Sequence, residues 1–542
     1  MPIREVAVRY GFVIDQRSCI GCHACTVACK EEHEVPLGVF RTWVKYVERG
    51  SYPETRRFFS VLRCNHCDNA PCVTICPTVA LYRRPDGIVD FDSSRCIGCK
   101  SCLQACPYDA LYIDPATHTA AKCNYCAHRV EVGLEPACVI VCPEQAIIAG
   151  DLDDPGSRIA QIVAREPVQV RKPKLGTEPK VFYVGADAAA LAPSLQEPAG
   201  GFMWSERSSH DVSLSAMLSE ALMRGAGNGS GGNGDHERGG GGAAAMPASP
   251  GLARPVYDVP HMAFPWGWKV SAYLWTKSIA AGVLFLAALT KPDYVGFLSG
   301  YDPVINGAGA PLITLTFLAA TTALLLLDLK RPERFLYILL KPNRRSWLVR
   351  GSWILIGYGF LATLWFVAAV THRDWFQDWL SFPTALFAAG TAGYSAFLFN
   401  QAEGRALWRS PLLLPHLLVS MIIAGAAALT IQSALARGGL AEPFITAAFV
   451  FGLPLHGFLL IAEFSGKHAN RDGALAARLL THGPWRVAFW GGVVIAGIVL
   501  PLVFAPFWEH PAARTLAGLV ALAGLWIYEW IWVKAGQAVP LS

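Results

Sequence analysis

Apolar positions divide the chain into two unlike halves. Up to about residue 200 they come in short runs broken by cysteines, prolines and charges, which predicts a compact domain of short strands and helices. Beyond about residue 270 eight uninterrupted apolar runs follow, near 272–289, 311–328, 350–370, 383–400, 411–431, 443–464, 486–505 and 513–533. Each is close to the ~20 residues that cross a bilayer as a helix, so the pattern predicts eight transmembrane helices, an even number that leaves both ends on one side. Residues 225–251, GAGNGSGGNGDHERGGGGAAAMPASPG, have almost nothing to bury and read as a flexible linker. A Gly-rich coil of that length spans about 30 Å, which lets the first half dock beside the second. The DVSLSAMLSEALMRG stretch before it reads as a short amphipathic surface helix. The expected domains are therefore residues 1–200, a linker over 201–256, and a membrane domain over 257–542.

Composition sharpens this picture. Hydrophobic residues make up 53% of the 542 and charged residues 16%, which excludes a single soluble domain and a disordered or collagen-like chain. The net charge of +5 is modest. No basic stripe interleaved with aromatics lies outside the membrane loops, so nucleic-acid binding is not expected. The opening MPIREVAVRYGFVID lacks a basic region followed by an apolar core, and no cleavable export signal is expected. The loops after the second, fourth and sixth apolar runs hold thirteen lysines and arginines, Lys330 to Arg486, against four (Lys291, Arg373, Arg437, Arg514) on the other side. This positive-inside asymmetry predicts a multi-pass protein of the inner (cytoplasmic) membrane with its N-terminal domain in the cytoplasm. A basic face could equally serve to dock an anionic cluster domain.

All 16 cysteines lie between Cys19 and Cys142, in four groups of four. Cys19, Cys22, Cys25 and Cys29 are spaced C-x2-C-x2-C-x3-C, and Cys96, Cys99, Cys102 and Cys106 repeat that spacing. Cys64, Cys67, Cys72 and Cys76 have one wider gap. Cys123, Cys126, Cys138 and Cys142 carry eleven residues between their pairs. Triplets with a distant fourth partner suit cubane iron–sulfur clusters, where the last cysteine of each run ligates another cluster. Pro77, Pro107 and Pro143 follow the last cysteine in three groups, and Lys30 stands there in the first. Disulfides would need an oxidising compartment and wider spacing. Structural zinc normally takes two pairs per ion. The count suits four [4Fe–4S] clusters, a wire rather than a catalytic site. The expected fold class is an α+β bacterial-ferredoxin-like iron–sulfur domain followed by an all-α eight-helix transmembrane bundle.

The stretches CIGCHACTVACK, CNHCDNAPCVTICP, CIGCKSCLQACP and CNYCAHRVEVGLEPACVIVCP resemble the four-cluster subunits of the dimethyl sulfoxide/polysulfide reductase type, over residues 8–185. The resemblance implies ligand sets of Cys19, Cys22, Cys25 with Cys142; Cys29 with Cys123, Cys126, Cys138; Cys64, Cys67, Cys72 with Cys106; and Cys76 with Cys96, Cys99, Cys102. Some relatives hold a three-iron cluster for want of one third-group cysteine; Cys102 is present here, so four cubanes are expected.

Ionisable residues at membrane depth are costly unless paired or facing a polar cavity. Counted from the helix ends, Lys277, Asp328, His416 and Glu463 fall at one level on the side facing the clusters, and His456 lies two turns deeper than Glu463. Each has a plainer reading: Lys277 snorkelling to the interface, His416 bonded to a neighbouring helix, Asp328 and Arg331 as a helix-end ion pair. Together they point to a pocket where a quinone headgroup meets electrons and protons. Quinone chemistry moves two of each, so titratable or hydrogen-bonding groups must reach both carbonyl oxygens. The stretches WGWKVSAYLWTKSIAAG, LLLLDLKRPERFLYILLKPNRRSW and VKAGQAVPLS resemble the NrfD-like membrane subunits of polysulfide and nitrite reductases, over residues 257–542. That resemblance implies eight helices, no haem, and menaquinone or ubiquinone bound near the iron–sulfur subunit. The candidate pocket residues are Lys277, Asp328, Arg331 and His416, with Tyr273 and His261 nearby; His456 and Glu463 are candidates for a proton path. His416 and His456 are expected at mismatched depths, which argues against a haem.

The sequence therefore points to a non-catalytic subunit that passes electrons between the quinone pool and a separate molybdenum or tungsten pterin catalytic subunit. Two other readings stay open: a proton-translocating quinol:cytochrome module of the alternative complex III type, and a passive membrane tether.

Overall fold

The computed structural model describes residues 8–197, 253–290, 307–437 and 443–542, apart from single positions 263, 467, 469 and 508. Most of the expected linker, and the amphipathic stretch before it, lie outside the described residues.

The N-terminal half is organised around a short, fully buried strand. Phe12, Val13 and Ile14 of Tyr10–Asp15 bury both faces, as a strand covered on two sides must. It pairs antiparallel with Ile147–Asp151 and parallel with Val181–Val184, which in turn holds Val168–Gln169. A second sheet orders Arg254–Tyr257, Thr42–Arg49 and Arg56–Arg63, all antiparallel. Its first strand falls where composition had placed the end of the linker. Two hairpins, Leu81–Arg83 with Val89–Phe91 and Leu111–Ile113 with Ala120–Lys122, follow the second and third cysteine groups. Each cysteine group runs into a helix of four to nine residues, Ala24–Glu32, Pro71–Ile75, Ser101–Ala105 or Ala137–Ile140.

The repeated Cys-Ile-Gly-Cys runs adopt the same backbone. Gly21 and Gly98 have φ of 73° and 68°, and His23 and Lys100, the helix N-caps, have 61° and 62°. Glycine takes the left-handed region without the Cβ penalty, and the resulting curl turns the Gly98 amide onto Cys96 Sγ at 3.4 Å.

The C-terminal half is a helical membrane domain. Among the described residues seven helices are long and apolar enough to cross a bilayer: Trp268–Thr290, Gly309–Asp328, Trp347–Val370, Asp374–Asn400, Leu413–Ala436, Pro443–Ser465 and Pro511–Ala538. The eighth expected run, 486–505, is a shorter apolar segment, Ala488–Val503, built as a π-helix over Ala488–Val499 that passes into Leu500–Val503. The segment counts sixteen residues, against twenty or more in each of the seven, and a π-helix of this length is rare. The first span is central: 83% of its apolar window is buried, against 28% in each of the next two. It crosses Leu413–Arg437 at Gly282 and Gly425, where a Cβ on either residue would meet backbone within 2.2 Å, the close approach that small residues permit between membrane helices.

Candidate electron path and polar core

The sixteen thiols are all free and gather in four quartets. Cys19 interacts with Cys22 and Cys142, and Cys25 with Cys19. Cys29 faces Cys123, Cys126 and Cys138; Cys72 faces Cys64, Cys67 and Cys106; Cys102 faces Cys76, Cys96 and Cys99. Electrostatic influence between quartets, Cys138 on Cys25, Cys64 on Cys123 and Cys72 on Cys102, orders them in one row. Cys22 is exposed at one end of that row. Among the described residues no three His, Cys, Asp or Glu side chains stand as a single metal ion requires. Burial pushes the Cys25, Cys99 and Cys126 thiols up to about 12, so each needs a strongly electrophilic centre to hold it as thiolate. Backbone amides are aimed at sulfur: Gly98 and Ala120 at Cys96, Ala146 at Cys142. Buried thiols in fours with amides directed at sulfur fit cubane clusters, in which the thiolates surround a wide inorganic core.

The other end of the row rests on the membrane half. Asn343 Nδ2 donates to Cys76 O at 2.8 Å, Arg334 Nη1 to Cys96 O at 3.2 Å and Trp266 Nε1 to Cys99 O at 3.2 Å. Three of the four cysteines in that quartet are thus gripped through their carbonyls. Around them Gln104, Gln537 and Arg405 form a buried net: Gln104 donates to Gln537 Oε1 at 2.6 Å, and Arg405 Nε donates to Gln104 Oε1 at 2.7 Å. Gln537 closes the net by exchanging hydrogen bonds with the Trp266 backbone. Trp266 also stacks on Trp408, so the seam passes directly into the aromatic packing of the bundle.

The expected pocket residues divide between the seam and the bundle. Asp328 and Arg331 do not pair with each other. Asp328, at the end of its span, binds Lys100 beside Cys99 at 2.9 Å. The Arg331 amide donates to Ile97 O and its Nε to Thr117 O at 2.7 Å. His261 sits in the seam with Nδ1 2.9 Å from Asp109 and Nε2 3.5 Å from Asp258. These two carboxylates overcome its burial and raise it to about 10, so it is an imidazolium at neutral pH.

Inside the bundle Lys277 is fully buried, not snorkelling. Its Nζ donates to Ser395 Oγ at 2.5 Å and Ala392 O at 3.2 Å, and lies 4.8 Å from the Tyr394 ring centre and 5.7 Å from that of Tyr273. Glu529, buried in the last span, faces it electrostatically. His416 Nε2 lies 2.8 Å from Glu463 Oε2, both side chains at most 3% exposed. The His456 ring is 5.5 Å from that of His416 and 5.3 Å from that of Tyr528. The depth mismatch expected for the two histidines is therefore not found. His416 lies between Glu463 and His456, its Nε2 towards Glu463 and its ring against that of His456. Both His456 nitrogens and the Tyr528 hydroxyl are buried without a hydrogen-bond partner among the described residues.

Sequence reasoning missed Glu529, Tyr394, Ser395 and Tyr528. Glu529 had a signal, as an acidic residue inside the last apolar run. The hydroxyl groups had none, since serine and tyrosine are ordinary in membrane helices.

Residues 258–540 match the family model described as "Polysulphide reductase, NrfD", residues 55–152 a "4Fe-4S dicluster domain" and residues 17–32 a "4Fe-4S binding domain". Among curated proteins, the cysteine-rich half is similar to a subunit of tetrathionate reductase from Salmonella typhimurium, 48% identical over 202 residues, 36% of this chain and 80% of that protein. It is 43% identical to a polypeptide of the polysulfide reductase from Wolinella succinogenes, over 33% of this chain and 95% of the relative. The iron-sulfur subunit of a putative dimethyl sulfoxide reductase from Halobacterium salinarum is 38% identical over 34% of this chain and 82% of its own length.

Proposed function

The protein belongs to the polysulphide reductase NrfD family, with 4Fe–4S ferredoxin domains fused ahead of the membrane domain, and on that footing we propose that it carries electrons between membrane quinone and a separate molybdenum or tungsten pterin catalytic subunit. Four [4Fe–4S] clusters form the wire, on the ligand sets given by the four cysteine quartets. Its two ends differ in character. The quartet with exposed Cys22 faces outward, where a separate catalytic subunit would dock. The quartet of Cys76, Cys96, Cys99 and Cys102 faces the bundle, and the grip of Asn343, Arg334 and Trp266 on its carbonyls is the observation that carries the reading. A tether needs no such grip on cluster loops.

In the bundle, Lys277 and Tyr273 form the quinone-headgroup pocket, with Tyr394, Ser395 and Glu529 completing it and Asp328 closing it towards the clusters. Quinone supplies two-electron, two-proton chemistry there. Lys277 orients a carbonyl oxygen and Glu529 exchanges protons with it. His416, Glu463 and His456 then serve as the proton path. That same row of buried ionisable groups favours the proton-translocating module as a second reading. Arg331 and His261 act in docking rather than in the pocket. Ala488–Val503 supplies an eighth crossing, which keeps both ends of the bundle on one side. The cluster domain faces the cytoplasm: setting aside Arg331, Arg334 and Arg405, which bond the seam, ten basic residues still oppose four. Residues 1–200, 201–256 and 257–542 remain the working division, with Arg254–Tyr257 returned to the cluster domain.

Quinol-driven bleaching of the clusters tests the core of this reading. Lys277→Met is expected to slow it at least tenfold, about 1.4 kcal/mol in barrier, while dithionite bleaches variant and wild type alike. An unchanged quinol rate would overturn the pocket. Purification from native membranes should bring molybdenum or tungsten at about one atom per sixteen irons; covalent haem without either metal would favour the second reading.

A further inference from the structure

Arg63 ends the strand Arg56–Arg63 and immediately precedes Cys64. It is among the most completely buried large side chains of the molecule. Among the described residues no carboxylate pairs with it. Its Nη1 donates to Cys138 Sγ at 3.1 Å, its guanidinium carbon lies 4.5 Å from the Phe12 ring centre, and Nε and Nη2 have no hydrogen-bond partner among the described residues. The groups that bear on its charge are Cys138, Cys123 and Cys25, and Cys29 feels it too. Three of these four belong to one quartet.

A guanidinium taken out of water with no counter-charge is among the costliest arrangements a fold can contain. Here every candidate counter-charge is a cluster-ligating thiolate. A cubane with four thiolates is anionic, and one-electron reduction makes it more so, so a fixed neighbouring cation stabilises the reduced form over the oxidised one. A hydrogen bond to a ligand sulfur acts in the same direction. His33 places Nε2 3.1 Å from Cys126 Sγ of the same quartet. Elsewhere, among the described residues, Cys64, Cys96 and Cys142 sulfurs receive backbone amides, and no other guanidinium or ammonium group donates to a cysteine sulfur.

Resting on the four-cluster reading, we infer that Arg63 is the built-in counter-cation of the cluster held by Cys29, Cys123, Cys126 and Cys138, and raises that cluster's midpoint potential. Net direction is fixed by the two ends of the chain of carriers, not by a middle one. A raised potential at this place instead holds an electron one step from the exposed Cys22 end and draws it away from the membrane-facing quartet. Arg63 is thus a positioning residue for the electron. Its field also reaches Cys25 of the outermost quartet, which should respond more weakly.

The test is a redox titration of the whole purified chain followed by electron paramagnetic resonance, with iron content and spin count measured on each sample. Arg63→Gln, neutral and of similar size, is expected to move one midpoint to lower potential, shift a second by less, and leave two in place. Arg63→Lys is expected to keep its iron and remain near the wild-type potentials. Four unmoved midpoints in Arg63→Gln at full iron content would overturn the inference. If Arg63→Gln loses a cluster, Arg63→Lys decides: retention of all four with near wild-type potentials supports the counter-cation, and loss of the same cluster despite the retained charge overturns it. A wild-type protein with fewer than four clusters by spin count would instead remove the reading on which the inference rests.

Discussion

His261 shows how a single residue can be chemically legible while its partners are not. A histidine just before the first membrane run invites a role in proton chemistry, but its two nitrogens are taken by Asp109 and Asp258. Asp258 also binds Lys45 at 3.2 Å, and Arg405 acts on Asp109, so two carboxylates are shared among three cations. With His261 raised to about 10 from an unfolded value near 6.5, its stabilisation of the seam is complete below about pH 6.5. It is lost as pH rises through the folded value. Amide exchange of the Asp109 and Asp258 segments should therefore accelerate between about pH 7 and 10 in the wild type beyond the intrinsic rate. His261→Gln should start faster and lose this extra dependence; identical profiles would assign the seam's pH response to other groups. Lys277 differs in that its place inside an apolar run is visible in the sequence, and the fold buries it completely.

At the scale of elements, the first span crosses Leu413–Arg437 with no side chain between them. A Cβ on Gly425 would lie 2.2 Å from the Gly282 carbonyl carbon, so Gly425→Val must push the helices apart. Overpacking of this kind costs about 1–3 kcal/mol. It should appear as a lower midpoint of thermal unfolding in detergent, while Gly491→Ala, whose Cβ direction is open, leaves the midpoint in place. A matching drop in both variants would locate the sensitivity in glycine itself rather than in this crossing. What was legible at this scale follows from range. Cysteine spacing is local, so the quartets could be anticipated. Seven of the eight apolar runs became full spans because length and hydropathy are properties of the run alone. The π-helix at Ala488–Val499 is a backbone choice that leaves no mark in hydropathy. The strand Arg254–Tyr257 depends on Thr42–Arg49, some 200 residues away, and looked like linker because four residues beside a Gly-rich tract carry no period. Arg63, preceding a cysteine at a strand end, gave no sign that it would be buried.

At the scale of the whole molecule the question is what the covalent join adds. The three curated relatives named above correspond to about a third of this chain and are covered over 80% to 95% of their own length, so the cluster half has the extent of a separate subunit. The seam is built accordingly. Asn343, Arg334, Arg331 and Trp266 bond carbonyls of the cluster loops, Lys100 binds Asp328, and Arg254–Tyr257 adds a strand to the cluster domain. Main-chain pairing and buried hydrogen bonds are the features of a stable interface rather than of two modules held only by a leash. Two chains, residues 1–197 and 253–542, expressed together should therefore co-purify with their clusters, and quinol should still bleach them. Arg334→Ala combined with Asn343→Ala in the split pair removes the grip on Cys76 and Cys96 and should release the cluster half on dilution. The same two substitutions in the continuous chain should leave it docked, because covalent linkage keeps the partner at an effective concentration near the millimolar range. If the unsubstituted halves separate on dilution, the join itself is the principal source of docking; if the doubly substituted halves stay together, the strand and the Gln104–Gln537–Arg405 net hold the seam without the cluster-loop contacts.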